Sequence, residues 1–405
     1  MSNGPNNTRV TKYKKQKRVK KNLFQILIIG IPLIIVVTIA GILISNISPK
    51  ETVVGSVEEK EKSEMEIKEG PQDENVENIP EIKEEPKPEP VKETSITISA
   101  AGDFTIGTDE AFGYSGSFVN EVDKNGFPYF VEGIKDIFQA DDLTTVNLET
   151  TLTTATQKAQ KKFRFKGDPS YAQILQLGGI EAVNLANNHI RDYLDKGYTD
   201  TINTLKNHNI GYFGYDHQYM TTVKDIKIGA LGYEGWNDTS EIRDQVKKDI
   251  QSLRDQGAQL ILIHYHWGVE RQYVPTESQK SLAQFSIDAG ADLILGHHPH
   301  VVQGIEEYNG KFIVYSLGNF MFGGNRNPSD KDTYVFQQTF HFKNDALTDE
   351  KQINVIPFSI SSVSSRNNYQ PVPLTGTEAD RVMQKIISSS DQINGSNWIV
   401  YDQKE

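Results

Sequence analysis

The chain has 405 residues, with 42 Lys and Arg against 54 Asp and Glu, a formal net charge of −12 and no cysteine. An acidic body of this size argues against nucleic acid as a partner, since that role needs a basic face to neutralise phosphates. The absence of cysteine excludes a disulfide scaffold and any thiolate chemistry.

Charge is distributed unevenly along the chain. Residues 1–22 form a basic segment that includes "RVTKYKKQKRVKK". Residues 23–45, "LFQILIIGIPLIIVVTIAGILIS", carry no charge. At about 1.5 Å rise per residue, such a run crosses a hydrocarbon core of about 30 Å, so a transmembrane helix is predicted. The positive-inside rule places 1–22 in the cytoplasm and the rest outside, giving a single-pass cell-membrane protein. The alternative is a cleaved signal peptide, after which the same body would be secreted.

Residues 46–94 are rich in Glu, Lys and Pro and end in "PEIKEEPKPEP"; 51–94 alone hold fifteen acids against six lysines. That composition cannot bury enough apolar surface to fold, and it reads as a disordered acidic tether.

From Ser95 the texture changes. Apolar, β-rich runs recur at 96–103, 143–149, 181–189, 226–234, 260–267, 291–300 and 312–320. Helical spacing appears at 198–208, 241–256 and 278–290. Alternating strands and helices predict an α/β domain over 95–362, its sheets covered by helices. Residues 363–405 turn polar and read as a C-terminal surface extension with one helix, "TEADRVMQKIISSS".

Polar residues cluster at one kind of place. Asp103, Glu149, Asn188 with His189, His264 with His266, His297 to His300, and Asn319 all follow an apolar run. In α/β folds the C-terminal strand edge is where ligands bind. Two carboxylates (Asp103, Glu149), an amide (Asn188) and imidazoles (His266, His298, His300) make a donor set for one or two divalent ions. Mixed oxygen and nitrogen donors suit Mn²⁺, Zn²⁺ or Fe²⁺. His189, next to Asn188, suits a general acid for a leaving group. His264 and His297 read as core residues or as groups that orient the ligands, with a ligand role as the alternative. The basic stretch "KKFRFKGDP" (161–169) offers Arg164 as a bidentate grip on a carboxylate or phosphate, or else a solvated loop.

In order, "AAGDFTIG", "VNLETTLT", "NLANNHIRDY", "HWGVE", "GHHPHVVQG" and "YSLGNFMF" resemble the motifs of the poly-γ-glutamate capsule biosynthesis proteins of the CapA/PgsA type. That family resembles a branch of the calcineurin-like metallophosphoesterases. The resemblance implies a sandwich of two β-sheets flanked by helices. It also implies Asp103 as the first-metal aspartate, Glu149 as the bridging carboxylate and Asn188 as the second-metal asparagine. His266, His298 and His300 become metal histidines, and His189 the proton donor. There are departures: the Asp-x-His motif reads Asp103-Phe104-Thr105, the bridging Asp is Glu149, and Gly-His-His-Pro-His allows either His297 or His298 in register.

The function implied is a membrane-anchored extracellular protein that acts in making, exporting or releasing an anionic polymer, poly-γ-glutamate, beside membrane partners of a capsule synthase. Two alternatives remain open at this point: a metallophosphoesterase acting on an envelope phosphoester, and a non-catalytic polymer-binding scaffold.

Overall fold

The structure is a computed structural model, and it describes residues 90–403. The basic segment 1–22, the apolar run 23–45 and all of the acidic stretch before residue 90 lie outside the described residues. Among the described residues no helix is long and apolar enough to cross a membrane.

Two mixed sheets carry the fold. The larger runs in the order β17 (Val372–Pro373), β16 (Gln352–Ser359), β14 (Asp332–Lys343), β1 (Glu93–Thr105), β2 (Leu143–Leu148), β5 (Ala182–Asn184) and β6 (Gly211–Phe213). Beside it, β13 (Asn319–Phe322) pairs with the end of β1, and β15 (Ala346–Leu347) forms a hairpin with β14. The second sheet runs β11 (Ile305–Tyr308), β12 (Lys311–Val314), β10 (Leu293–His297), β9 (Leu260–Trp267), β8 (Ile226–Gly235) and β7 (Tyr219–Val223). A separate short pair joins β3 (Thr151–Leu152) to β4 (Lys166–Gly167).

Strand alternation sorts the side chains into three cores. Ile96, Ile98 and Ala100 of β1 share one cluster with Leu260 and Leu262 of β9 and Leu293 and Leu295 of β10, so this core fills the space between the sheets. Ile261 and Ile263 face the other way, onto Val246, Ile250 and Leu282 of the helices Ser240–Asp255 and Glu277–Asp288. Val146 and Leu148 pack with Phe118, Phe130 and Leu205 from helices on the outer face of the larger sheet. At about 1.5–3 kcal/mol for each fully buried large aliphatic side chain, these layers are the main source of stability.

Two expectations need correction. The run 312–320 is two strands in two sheets, β12 and β13, separated by a bend at Gly318 (φ 76°). A side chain at Gly102 would collide with the Gly318 carbonyl, so glycine there permits the close crossing. Residues 363–403 are packed in rather than laid on the surface. Tyr369 and Trp398 are fully buried, and the helix Gly376–Asp391 sends Val382 and Ile386 into the inter-sheet core. The segment reads as polar because its buried Ser and Asn are internally bonded. Ser390 Oγ accepts from Trp398 Nε1 (3.1 Å) and from the Ile305 amide (2.9 Å), and Asn367 Nδ2 donates to the Phe322 carbonyl (2.8 Å).

Candidate metal centre

Register brings the strand-end residues together. Asp103 on β1 lies opposite both Asn147 on β2 and Asn319 on β13, and Asn147 lies opposite Asn184 on β5. In the other sheet, His297 on β10 pairs with His266 on β9, which pairs with Glu234 on β8. Glu149 follows β2 directly, and the Asn187–His189 loop follows β5.

Around this edge, one ligand atom from each of Glu149, His266 and His298 lies within 4.8 Å of the others, and the same holds for Asp103, Glu149 and His300. Glu149 belongs to both groups. Its Oε1 is 3.5 Å from His266 Nε2 and 3.8 Å from His300 Nε2. Asn188 Oδ1 is 3.0 Å from His266 Nε2. Asp103 Oδ2 is 3.3 Å from His300 Nδ1. His298 and His300 have φ of 93° and 56°, a left-handed backbone that non-glycine residues rarely adopt. That conformation turns both rings inward from a single turn.

The donor set fits a cation. Both oxygens of Glu149 and Nδ1 of His298 are buried without a hydrogen-bond partner. An unpaired buried carboxylate is costly, and a bound cation removes that cost. Burial pushes Glu149 well above the ordinary carboxylate range, and the charge of Asp103 adds to that. Burial acts to raise Asp103 too, but its hydrogen bond and charge contact with His300 hold it below its usual value. At His300 burial pulls downward, yet Glu149 and Asp103 outweigh it and lift the ring to about 10. Burial and then the charge of His300 bring His298 to about 4, and burial drives His266 well below its usual range. His266 and His298 are thus held neutral, with lone pairs to give, while His300 holds a proton against the two carboxylates that a bound cation would displace.

Other sequence candidates fall beside this group. His264 and His297 stack with ring centroids 5.1 Å apart, and His264 Nδ1 is 2.9 Å from His297 Nε2. His264 Nε2 meets Thr145 Oγ1 at 3.0 Å, so both of its nitrogens are engaged away from the metal-ligand groups. His297 Nδ1 lies 3.6 Å from Asp103 Oδ1, behind that carboxylate. Asn319 Oδ1 is 2.9 Å from His300 Nδ1, and its Nδ2 donates to the His300 carbonyl (3.2 Å), fixing that ring.

His189 lines a cavity of about 190 Å³ together with His300, Asn319, Phe163, Phe165 and Arg271. Its Nδ1 is 2.7 Å from Asp192 Oδ2, and the Phe165 ring sits 4.4 Å away. Burial lowers its pKa, and Asp192 works against that. Arg164 does not line this cavity: Phe163 and Phe165 do, and the Arg164 amide donates to Asp109 Oδ2 (2.9 Å).

Several residues were missed at the sequence level. Lys161 donates to Asp192 Oδ1 (2.6 Å) and to the Asn188 carbonyl (2.7 Å). Asn147 Nδ2 donates to Asp103 Oδ1 (2.8 Å), while its Oδ1 accepts from Asn184 (2.9 Å) and Asn187 (3.2 Å). The signal was present in "VNLE" and "VNLANN": an Asn at the same place in two apolar strands needs a partner inside.

A family model described as "Bacterial capsule synthesis protein PGA_cap" matches residues 97–324. Capsule biosynthesis protein CapA of Bacillus anthracis is 30% identical over 273 residues, covering 61% of this chain and 62% of that protein. PGA biosynthesis protein CapA of Bacillus subtilis (strain 168) is 30% identical over 229 residues, covering 51% of this chain and 60% of that one. The chain thus spans about six-tenths of the length of these relatives. Among solved structures, a hypothetical protein from Thermus thermophilus aligns with a TM-score of 0.43 at 13% identity, covering 65% of this chain and 99% of that one.

Proposed function

The chain belongs to the bacterial capsule synthesis protein (PGA_cap) family, and on that premise we propose that it acts in making, exporting or releasing poly-γ-glutamate through a metal-dependent hydrolase centre. The run 23–45 anchors it in the membrane, with the basic segment 1–22 inside the cell and the folded body outside, next to membrane partners of a capsule synthase. The observation that carries the hydrolase reading is Glu149, fully buried, common to two metal-ligand groups and unpartnered at both oxygens.

Glu149, His266 and His298, with Asn188 beside them, would hold one divalent ion, and Asp103, Glu149 and His300 a second; Mn²⁺, Zn²⁺ or Fe²⁺ suits these donors. Such ions supply Lewis acidity toward a carbonyl or phosphoryl oxygen. The remaining chemistry belongs to side chains. Asp192 accepts the hydrogen bond of His189 Nδ1–H, so Nε2 is left to carry the proton a leaving group needs. Phe165 packs against that ring and limits its rotation. Lys161 neutralises Asp192 and keeps the carboxylate in place.

A second reading is an envelope phosphoesterase. Two ions held by these donors would supply Lewis acidity for in-line displacement at phosphorus as well as for addition of water to an amide carbonyl. The deciding experiment measures metal content of the purified full chain. It then follows the chain length of poly-γ-glutamate and the release of p-nitrophenol from p-nitrophenyl phosphate, with Mn²⁺ added. Polymer cleavage supports the first reading, and phosphoester turnover alone supports the second. Failure to bind metal at any loading overturns the hydrolase centre and leaves a polymer-binding scaffold.

A further inference from the structure

The cavity beside the metal-ligand groups has one Lys or Arg among its lining residues, Arg271. Of the other cations near this wall, Lys162 sits over the Phe163 ring (4.8 Å) and two are committed to carboxylates. Lys161 is bound to Asp192 (2.6 Å), and Lys385 is bound to Asp330 (2.6 Å) and Asp332 (2.9 Å). Arg271 is exposed and makes no ion pair among the described residues.

Its backbone is unusual. Arg271 has φ 64°, a left-handed conformation where glycine would be the unstrained choice. Its amide donates to the Pro299 carbonyl (2.8 Å), in the turn that carries His298 and His300. The arginine is therefore held in strain and tied directly to the metal-ligand turn. Such strain, kept at a cavity wall, points to a use for the side chain.

We propose that Arg271 is the specificity-determining residue that takes an anionic oxygen group of the substrate, carboxylate or phosphoryl, at the mouth of the metal centre. The inference rests on the hydrolase reading above for what the cavity is used for. A guanidinium offers two parallel donors to either oxyanion. Glu270, its chain neighbour on the same wall, is acidic, and this local charge favours a monoanionic carboxylate over a dianionic phosphate. Phe163 and Tyr273, both about two-fifths exposed on this wall, give an apolar surface that matches the methylenes between carboxylates of a γ-linked acidic chain.

The test is calorimetric titration of the full chain, with and without Mn²⁺, using a ten-residue γ-glutamate oligomer and, separately, inorganic phosphate. Arg271→Gln should weaken binding of one of these anions by roughly ten- to hundred-fold, the loss of a charge-assisted bidentate contact, with bound metal unchanged. Arg271→Gly should show the same loss while relieving the backbone, which separates the side chain's role from folding. Arg271→Lys should recover part of the affinity, since it keeps the charge and loses the fork. The anion that shows the loss identifies the source. The proposal is overturned if both variants bind both anions as the parent does, or if the parent binds neither. A parent that binds the oligomer through Arg271 and cleaves nothing would sink the hydrolase reading and leave this assignment standing.

Discussion

Replacing Glu149 by Gln tests the centre by reversing the order of two stabilities. Glu149 is fully buried and neither oxygen has a partner. Leaving a buried polar group unsatisfied costs about 1–3 kcal/mol, and more when it is charged. Gln has nearly the same shape and is just as unsatisfied but carries no charge, so in excess chelator Glu149→Gln should be more stable than the parent by the charge-specific part of that cost, about 1 kcal/mol. In Mn²⁺ at a hundred times its dissociation constant, the parent should gain about 2.7 kcal/mol from binding to the folded state alone. The variant, lacking the carboxylate shared by both groups, should gain little, and the order inverts. Urea unfolding followed by circular dichroism, run in chelator and in Mn²⁺ at one protein concentration, reads both differences. If Glu149→Gln is destabilised in chelator, or if it responds to Mn²⁺ as the parent does, Glu149 is an ordinary core carboxylate and the two-group centre is wrong.

Three further outcomes are expected. Asp192→Asn removes the carboxylate that holds His189 Nδ1 (2.7 Å), Lys161 Nζ (2.6 Å) and the Phe165 amide (2.6 Å); on a cleaved substrate kcat should fall by at least about 10² with metal content kept, and an unchanged kcat would remove His189 from proton transfer. Asp141 is raised to about 7, by burial first and then by the charges of Glu181 and Asp142, against hydrogen bonds from Ser99 and Thr144. The folded chain then holds this proton more tightly than the unfolded chain, so stability is lost as pH rises from about 4 to about 7. Asp141→Asn should therefore be more stable than the parent at pH 8 by roughly 1–3 kcal/mol, discounted for partial exposure, and the two unfolding curves should converge below pH 4. Trp398→Ala should cost about 3–5 kcal/mol, because the ring is fully buried in the inter-sheet core; a loss under 1 kcal/mol would return residues 363–403 to the surface.

The parts of the fold that can be read from sequence are those where one pattern runs long enough to count. "LILIHYHW" is an unbroken eight-residue run buried on both faces, as a central strand between parallel neighbours is, and it is β9 from Leu260 to Trp267. The helix Ser240–Asp255 shows its buried face as Val246, Asp249, Ile250 and Leu253, spaced three and four apart. Short elements give no such run. The helices Pro128–Val131 and Lys135–Phe138 are four residues each, under one and a half turns, and no periodicity exists at that length. Strand β14 was missed for a different reason. Its inward side chains include Gln338 as well as Tyr334, Phe336, Phe340 and Phe342, and the glutamine interrupts what would otherwise read as clean alternation.

At the site, the same distinction separates what strands dictate from what loops dictate. Asp103, His266 and His297 sit on strands, where the side-chain period of two fixes which face each one occupies. His264 shares the inward face with His266 because β9 continues unbroken to Trp267. Asp192, Lys161 and Arg271 lie outside the strands, where no period applies. Arg164 and Lys161 belong to one basic stretch, and nothing in that stretch says which of them meets the His189 loop. Register therefore carries the geometry. His297 faces Asp103 because Gly296 pairs with Tyr265 and His297 with His266 across β10 and β9. A slip of one residue would turn His297 toward the outer helices and Gly296 toward Asp103. It would also displace the His298–His300 turn that closes both metal-ligand groups. The centre is thus specified by apolar residues that touch no ligand: Leu293 and Leu295 in the inter-sheet core and Ile294 in the outer one admit only one register.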